Sequence, residues 1–472
     1  PGDDYRDKDI NEDRHRFDFV YRGEISTNLT AKLVVRKQSD REVIRDFFES
    51  EYRENVEPNS FLEINRQWEN SSLNLLSQAR MNDFFETVER LPDLKYTSLR
   101  QQLGVSPIFY ESESSAGYYR HKFVDDELPE FTAFRADTYH QLLVPKTFFN
   151  WLNVTPKAGG RFTHYGEAGG SGGLTNERDR WIFNTGVELS TKVWRVWKNT
   201  KSDFLQVDGL RHIFEPTLNY VFVPKPDARP GEIPQFDTVQ PHLRLLPIDF
   251  PDFNSIDAID GQNTLRFGIR NKFQTKRNGK IDNLIHWHLL MDWRLDPGID
   301  NKNYSDVYSY LDFKPRDWLI LTSEVRVDAD DGRLNQSNHS IDYRPNETWS
   351  ILLGHWFLDS NDGLLRRPYI ADPGPFDPEG NNLIYTNFFY RFNEEWGINL
   401  RHYFEARDGT MEEQDYTLYR DLRSWTAGLT FRVRESRTDS TDFTVAVTFS
   451  FKAVPRYDVG DDVEQMPLLL GG

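Results

Sequence analysis

Hydrophobic and polar side chains alternate one by one near the end of the chain, in residues 442–452. One parity is apolar throughout: Phe443, Val445, Val447, Phe449 and Phe451. Because successive side chains of a β-strand point to opposite faces, this stretch predicts a strand with one apolar and one polar face. From this strand alone, a lipid-facing strand of a membrane barrel and a half-buried strand of a soluble sandwich are equally open.

The same two-residue rhythm recurs along most of the chain. From residue 262 onward it predicts regular strands at 262–273, 283–295, 305–313, 318–327, 337–343, 349–357, 383–392, 396–405, 415–420, 425–433 and 443–451. Counted from Arg16, the pattern predicts roughly twenty to twenty-two strands, which is within the range of large bacterial barrels. The sequence therefore predicts an all-β fold.

The connections between these later strands alternate between short and long. Four are tight turns, at 314–317, 344–347, 393–395 and 421–424. Those between them are longer and often acidic, at 296–304, 328–336, 358–382, 406–414 and 434–442. Outer-membrane barrels carry short periplasmic turns and long extracellular loops, whereas a sandwich has no reason to separate its loops in this way. This favours a large antiparallel transmembrane β-barrel.

A tryptophan follows each of the tight turns: Trp318, Trp349, Trp396 and Trp425. Indole rings prefer the membrane–water interface, so four rings at equivalent positions predict an interface girdle at one height. Trp318 fits less well, because the apolar Leu319 and Leu321 that follow it have the opposite parity. A β-bulge would reconcile the two.

In a barrel, the polar parity of the same strands lines a water-filled lumen. The lumen-facing candidates are Thr426, Thr430, Arg432, Thr444, Thr448 and Ser450, together with His286 and His288. The two histidines share a strand face with Asp292, as a metal or hydrolase site would require. The sequence places no third ligand or nucleophile beside them, so we interpret them as lumen residues and expect no catalytic, metal or cofactor site.

Three segments interrupt the strand pattern. Ser39 and Glu42 form a capping box before a helical spacing that extends to Tyr52, which predicts a short helix within a long loop. Residues 223–260 are rich in proline, and we interpret them as a packed loop over or inside a pore. Residues 328–332 faintly resemble a calcium loop but lack its distal glutamate, which favours a solvated acidic loop.

The amino-acid composition agrees with a barrel fold and argues against several other classes of protein. The 472 residues are 38% hydrophobic and 14% aromatic, and no apolar run approaches the roughly 20 residues of a membrane-spanning helix. The strands of a membrane barrel contain no long apolar run, because every second residue faces water. The formal net charge of −18 disfavours nucleic acid as a partner, and the absence of cysteine excludes disulfides within this chain.

Several short pieces match a known family in their order and spacing. They lie at 39–40, 46–48, 52, 89–92, 211–218, 220–224, 260–264 and 338–344. On these pieces the chain resembles, from about Arg14 to Tyr457, the LptD (OstA/Imp) family of outer-membrane lipopolysaccharide-assembly proteins. The resemblance implies an outer-membrane translocon of a Gram-negative bacterium, integral in the membrane, rather than an enzyme.

The family also implies an architecture and partners. Its members are large barrels, of roughly 20–26 strands in the complete protein, preceded by a periplasmic jellyroll. The glycan of lipopolysaccharide crosses the lumen, and the lipid leaves through a lateral gate between the first and last strands, of which residues 442–452 would form one lip. Besides lipopolysaccharide and outer-membrane lipids, the implied partners are a small LptE-like plug lipoprotein in the lumen and a periplasmic bridge protein at the jellyroll.

Two departures from the family pattern qualify this expectation. The match begins part-way into the barrel, so we expect residues 1–452 to form the barrel without its first strands and jellyroll, followed by a C-terminal tail at 453–472. Better-known members carry a cysteine pair in the penultimate hairpin. Here the nearest positions are Arg423 and Ser424, which argues against disulfide-controlled maturation.

Two other function classes remain open. A porin or gated import channel would conduct ions freely or carry an N-terminal plug domain, and no such domain is recognisable here. A barrel lipase or protease would lose hydrolytic activity when His286 or His288 is changed.

Overall fold

The computed structural model describes residues 14–41, 43–44, 59–124, 130–169, 176–237, 245, 248, 256–297, 302–359, 380–435, 441–452 and 458–459. Regular structure in these residues is mostly β-strand, with a 3-10 turn at Pro230–Glu232 and helical conformation at Val43 and Ile44. The rest of the predicted helix, and all but two residues of the predicted tail at 453–472, lie outside the described residues. Among the described residues, no helix is long and apolar enough to cross a membrane.

The chain divides into two compact units. The first contains residues 1–189, 219–240 and 246–265, and the second contains residues 190–218, 241–245 and 266–472. The strands that begin in the first unit are β1 Arg16–Ser26, β2 Leu29–Gln38, β3 Ser60–Gln67, β4 Ser71–Ala79, β5 Thr87–Gln102, β6 Phe109–Lys122, β7 Phe131–Leu143, β8 Lys146–Phe148, β9 Leu152–Tyr165 and β10 Arg178–Thr191.

The remaining strands lie mainly or entirely in the second unit. They are β11 Val193–Ser202, β12 Val207–Val223, β13 Gln262–Arg277, β14 Lys280–Arg294, β15 Val307–Arg316, β16 Leu319–Val327, β17 Leu334–Tyr343, β18 Trp349–Asp359, β19 Gly380–Arg391, β20 Trp396–Glu405, β21 Thr410–Leu422, β22 Trp425–Glu435, β23 Thr441–Phe451 and β24 Asp458–Val459. β12 extends into the first unit, and β13 begins there. The number of segments slightly exceeds the predicted one, because it includes the very short β8 and β24.

Within each unit, strands that follow one another along the chain pair antiparallel. In the first unit the ladder runs from β1 to β7, and β7 then pairs with β9. In the second unit it runs without interruption from β14 to β23. This up-and-down order is the all-antiparallel arrangement that the alternating pattern predicts.

Two prolines of the first unit coincide with a register shift or a strand end. Pro92 lies in β5 at a register shift between Arg90 and Asp93, where its missing N–H interrupts the pairing with β6. Pro145 separates β7 from β8. Because proline cannot donate a hydrogen bond to the ladder, it is confined to such positions in a sheet.

Three tight turns of the second unit lie where the sequence predicts them, at 344–348, 392–395 and 423–424. The first tight turn along the chain lies at 317–318 rather than at 314–317, because β15 extends to Arg316. The connections between them are 295–306, 328–333, 360–379, 406–409 and 436–440. The first of these, 295–306, is longer than predicted, because β15 begins only at Val307. The other four are shorter than predicted, because strands continue into the predicted connections: β17 begins at Leu334, β18 ends at Asp359, β21 begins at Thr410 and β22 ends at Glu435. Strand pairing thus continues into segments that the acidic composition had assigned to loops.

Candidate functional site

The last long strand, β23, has the two faces that its sequence predicts. Phe443, Val445, Val447 and Phe449 are 69%, 68%, 52% and 39% exposed, whereas Thr448 on the opposite face is 5% exposed. Thr444, Ala446 and Ser450 are half-buried on that same face. The side chain of Phe451 lies outside the described part of the chain. A strand that exposes its apolar face and covers its polar face is inverted relative to a soluble sheet.

The neighbouring strands continue this inverted pattern. On β22, Leu429 and Phe431 are exposed while Arg432 is buried. The Arg432 Nε donates to Asp415 Oδ1 at 2.9 Å, and Arg401 Nε donates to Asp415 Oδ2 at 3.0 Å. Arg401, Asp415 and Arg432 lie on three successive strands, β20, β21 and β22, so their shared face is polar and internally paired.

Other predicted lumen residues lie on the same polar face. The Thr430 hydroxyl is 2.9 Å from the Thr417 hydroxyl of β21, and Thr426 is half-buried at the start of β22. The structure therefore brings together the candidates on β22 and β23, which are paired in register along their whole length. That this face borders a water-filled lumen stays a prediction.

Three of the four predicted girdle tryptophans begin a strand, and the fourth lies in a turn. Trp349, Trp396 and Trp425 are the first residues of β18, β20 and β22. Trp318 lies in the turn before β16 rather than on the strand, which corrects the predicted strand start and removes its conflict of parity. The register of β15 against β16 shifts between Phe313 and Arg316, just before this turn, so the ladder is irregular there.

Aromatic and cationic contacts join these turns. The Tyr343 ring centre lies 5.1 Å from the ring centres of both Trp318 and Trp349, and the Arg420 guanidinium lies 5.0 Å from the Trp396 ring centre. Tyr, Trp and Arg together suit an interfacial environment, where one end of a side chain is apolar and the other is hydrated. The position of these rings at a membrane surface stays a prediction.

The two histidines of β14 are half-buried and do not form a hydrolase-like arrangement. His286 Nδ1 is 3.8 Å from Asp312 Oδ2, which is longer than a hydrogen bond. Asp292 is held by Arg266, whose Nε is 2.6 Å from Asp292 Oδ1. Asp292 is therefore already paired with a cation and does not join the histidines as a ligand.

The acidic loop after β16 is organised by an ion pair. Asp328 accepts hydrogen bonds from Lys302 Nζ and from the backbone N–H groups of Asp330 and Asp331. The Lys302 hydrogen bond is the main cause that lowers the pKa of the Asp328 carboxyl, and the same bond raises the pKa of Lys302. In the described residues, no group of His, Asp and Glu is arranged to hold a metal ion.

The proline-rich segment, residues 223–260, packs closely against strands of the first unit in its described parts. Ala228 and Ile233 are about 1% exposed and contact Tyr165 of β9. The Phe236 ring centre lies 5.3 Å from those of Tyr119 and Phe131. The segment thus covers the face of these strands that lies opposite exposed residues such as Phe134 and Phe183.

One arginine connects this segment to the strands. Arg135 of β7 is 3% exposed, and its Nη1 lies 2.9 Å from Asp237 Oδ2 and 2.8 Å from Asp257 Oδ2. The Tyr165 hydroxyl donates to Asp257 Oδ1 at 2.6 Å. Each carboxylate also accepts a backbone N–H of the segment, from Ile256 at 2.6 Å and from Phe236 at 2.8 Å. The two acidic residues therefore crosslink the segment and bind it to Arg135.

The two carboxyl groups respond differently to this environment. Complete burial raises the pKa of Asp257, although the Arg135 guanidinium acts in the opposite direction. Burial also acts to raise the pKa of Asp237, but the Arg135 guanidinium and the backbone hydrogen bonds outweigh it, so that pKa lies below its ordinary value. On acidification we expect Asp257 to take up a proton first.

Sequence patterns did not identify these four residues, Arg135, Tyr165, Asp237 and Asp257. The signal available was the polar parity of β7, which marks Arg135 as a residue of the covered face. Its acidic partners lie 102 and 122 residues further along the chain, and no periodicity encodes such a contact.

A model of the family "LptD: LPS transport system D" matches residues 12–396. No curated protein matches the chain. Among solved structures, the siderophore receptor PirA from Pseudomonas aeruginosa is similar at 9% identity, covering 93% of this chain and 73% of that chain with a TM-score of 0.34. The FrpB iron transporter from Neisseria meningitidis is similar at 8% identity, covering 90% and 80% of the two chains with a TM-score of 0.33.

TM-scores this low do not by themselves establish a shared fold, and the family match carries the identification. It spans most of the chain and includes β1 to β19. It agrees with the resemblance noted in the sequence and with the antiparallel strands whose apolar faces are exposed. The chain therefore belongs to the LptD family of lipopolysaccharide transport, whose members are integral β-barrel proteins of the outer membrane.

Proposed function

We propose that this chain is the barrel of a translocon that inserts lipopolysaccharide into the outer leaflet. The glycan crosses a hydrated lumen, and the lipid leaves through a lateral gate between the first and last strands. This proposal extends the transport function of the family to a route through this particular chain.

The observation that carries the proposal is the inverted two-faced pattern of β22 and β23. A substrate with a long glycan and several acyl chains needs a hydrated path and a hydrocarbon path that lie next to each other. β23 supplies both on one strand, with Val445 68% exposed on one face and Thr448 5% exposed on the other. β23 pairs along its whole length with β22, and with β24 at Phe449 and Ser450.

We assign partners by the same chemistry. The polar face that carries Arg401, Asp415 and Arg432 suits a soluble protein surface, so a small plug lipoprotein would seal the lumen there. A periplasmic bridge protein would deliver lipopolysaccharide through a jellyroll domain. Outer-membrane lipids would contact the exposed apolar face of the strands.

Photo-crosslinking in living cells tests the glycan route. A crosslinking amino acid at Thr430 or Thr444 should capture lipopolysaccharide, because both side chains lie on the polar face and are only half-buried. Phe431 and Val445 are the matched positions on the opposite face, where phospholipid should be captured instead. Capture of phospholipid alone at Thr430 and Thr444, or free ion conduction by the protein purified together with its plug partner, would favour the porin alternative.

The lateral gate has a separate test. If lipid leaves beside β23, a crosslinker at Val447 should capture lipopolysaccharide more often than one at Leu353 of β18, which is also exposed and apolar. Equal capture at Val447 and Leu353 would place the exit elsewhere, even if the glycan route were correct.

A further inference from the structure

Four buried cationic side chains lie on the strands that the proline-rich segment covers. They are Arg135 of β7, Lys157 and Arg161 of β9, and Arg180 of β10, which are 3%, 4%, 8% and 0% exposed. Burying a charge is costly unless it is paired, so each of these side chains needs a partner. The identity of those partners separates the four into two pairs.

Lys157 and Arg161 have acidic partners on the strands themselves. Lys157 Nζ lies 3.1 Å from Glu188 Oε1, and Arg161 Nε lies 3.7 Å from Asp137 Oδ2. Glu188 and Asp137 belong to β10 and β7, so these two ion pairs do not depend on the segment.

Arg135 and Arg180 instead meet the segment. Both carboxylates that contact Arg135 belong to it, those of Asp237 and Asp257. Arg180 donates to the carbonyls of Ile256 and Asp257 at 3.3 and 3.4 Å, and also to the carbonyl of Ile259. If the segment moved away, two neighbouring guanidinium groups would lose these acceptors.

The present contacts leave part of each guanidinium unused. The Nε atoms of Arg135 and Arg180 are buried and have no hydrogen-bond acceptor in the described structure. A guanidinium binds phosphate best through two parallel N–H donors, and its Nε is one of those donors. The carboxylates of the segment thus neutralise the charge of Arg135, but they do not accept a hydrogen bond from its Nε.

We infer that Arg135 and Arg180 form an anion-binding site that Asp237 and Asp257 occupy as internal substitutes for a phosphate ligand. The inference rests on the proposed function, in which the transported substrate is a phosphorylated glycolipid. A phosphate group that binds both arginines displaces the segment and opens the covered face of β7, β9 and β10. A ligand shifts such an equilibrium only through its greater affinity for one state, and the unused Nε donors provide that difference.

The test measures binding of inorganic pyrophosphate to the full chain in detergent micelles by calorimetry. Removing the competing charges in a D237N/D257N variant should tighten binding on the order of tenfold, the range of a typical coupling between sites. Adding Arg135→Gln to that variant should abolish binding. Unchanged affinity in D237N/D257N, or binding that persists without Arg135, would overturn the inference.

A spin label reports displacement of the segment directly. The chain has no cysteine, and a side chain built at Gly231 would have no atom within 4 Å, so Gly231→Cys gives a unique and unhindered attachment site. Pyrophosphate should increase the mobility of this label in the otherwise unchanged chain, and D237N/D257N should increase it without ligand. If pyrophosphate binds and the mobility of the label does not change, the segment is a fixed structural element.

Failure of the anion-binding inference can be distinguished from failure of the proposed transport function. Capture of lipopolysaccharide at Thr430 or Thr444 does not require pyrophosphate to bind. A protein that transports lipopolysaccharide but fails both pyrophosphate tests would lose only the anion site. For every variant, the shift in gel migration between unheated and heated samples that is typical of folded barrels confirms folding.

Discussion

Arg135 illustrates how costly buried charges are arranged in this protein. Its guanidinium lies between Asp237 and Asp257, and each of these carboxylates has further hydrogen bonds from the backbone or from Tyr165. Buried ion pairs add stability only when all their partners are satisfied, whereas removal of one partner leaves the others exposed to a large desolvation penalty. The cluster therefore determines where the proline-rich segment lies more than it contributes net stability.

Arg135→Gln should strongly destabilise the first unit. The substitution leaves two buried carboxylates without their cation, which costs about 3–5 kcal/mol. The matched control is Arg100→Gln, because Arg100 pairs with Glu111 at 2.9 Å but its side chain is 52% exposed. Loss of such a surface pair costs less than about 1 kcal/mol. Urea unfolding in lipid vesicles measures both, and equal effects of the two substitutions would contradict the assignment of Arg135 as an anchor.

The Asp328–Lys302 pair should make the acidic loop after β16 sensitive to extremes of pH. The folded-state pKa of Asp328 is lowered, so its contribution is complete above the unfolded value of about 4 and is lost as the pH falls through the folded value. The pKa of Lys302 is raised, so its contribution is complete below about 10.4 and is lost as the pH rises further.

The comparison of wild type with Asp328→Asn tests this pair. The difference in the temperature of the heat-induced gel shift should be constant between about pH 5 and pH 10, and should disappear toward pH 2 as both forms become neutral at this position. A difference that grows on acidification would contradict the ion pair.

At the scale of strands, sequence and structure agree where one face is consistently apolar. The parity of β22 and β23 and the tight turns before β18, β20 and β22 are correctly predicted, since a shift by one residue would exchange the two faces of a strand. Four of the five connections between the tight turns are shorter than the sequence predicts, because hydrogen bonding along a ladder continues into polar segments when the neighbouring strand is present. The sequence predicts Trp318 as the first residue of a strand, whereas it lies in the preceding turn. A turn residue has no alternation of its own that would distinguish it from the start of the strand.

The close approach of β10 and β12 is a second contact that no pattern reveals. A Cβ added at Gly186 would lie 2.3 Å from the backbone oxygen of Tyr220, so no side-chain movement relieves the clash. Gly186→Ala should therefore separate these strands and destabilise the protein by about 1–3 kcal/mol.

Gly231→Ala provides the matched control for Gly186→Ala. An added Cβ there meets no atom within 4 Å, so its effect on urea unfolding should be close to zero. Normal unfolding of Gly186→Ala would show that the two strands are further apart than the structure places them.

At the scale of the whole molecule, membership of the LptD family and the exposed apolar strand faces both place the chain in the outer membrane. A chain with 38% hydrophobic residues enters a membrane only if those residues are distributed on one side of each strand. The exposed apolar residues of β22 and β23, together with the covered Arg432 and Thr448, show that distribution directly. The proposed transport route depends on it, because in that proposal the glycan and the acyl chains take separate paths.

Nitroxide scanning along β23 tests this separation most directly. Single cysteines at residues 443 to 447 give one label each, since the chain contains no native cysteine. In lipid vesicles, labels at Phe443, Val445 and Val447 should be relaxed preferentially by oxygen, and labels at Thr444 and Ala446 by a water-soluble nickel complex. Accessibility that alternates with a period of two residues is the expected result. Uniform accessibility to the nickel complex at all five positions would contradict a hydrocarbon-facing exterior and, with it, the transport route.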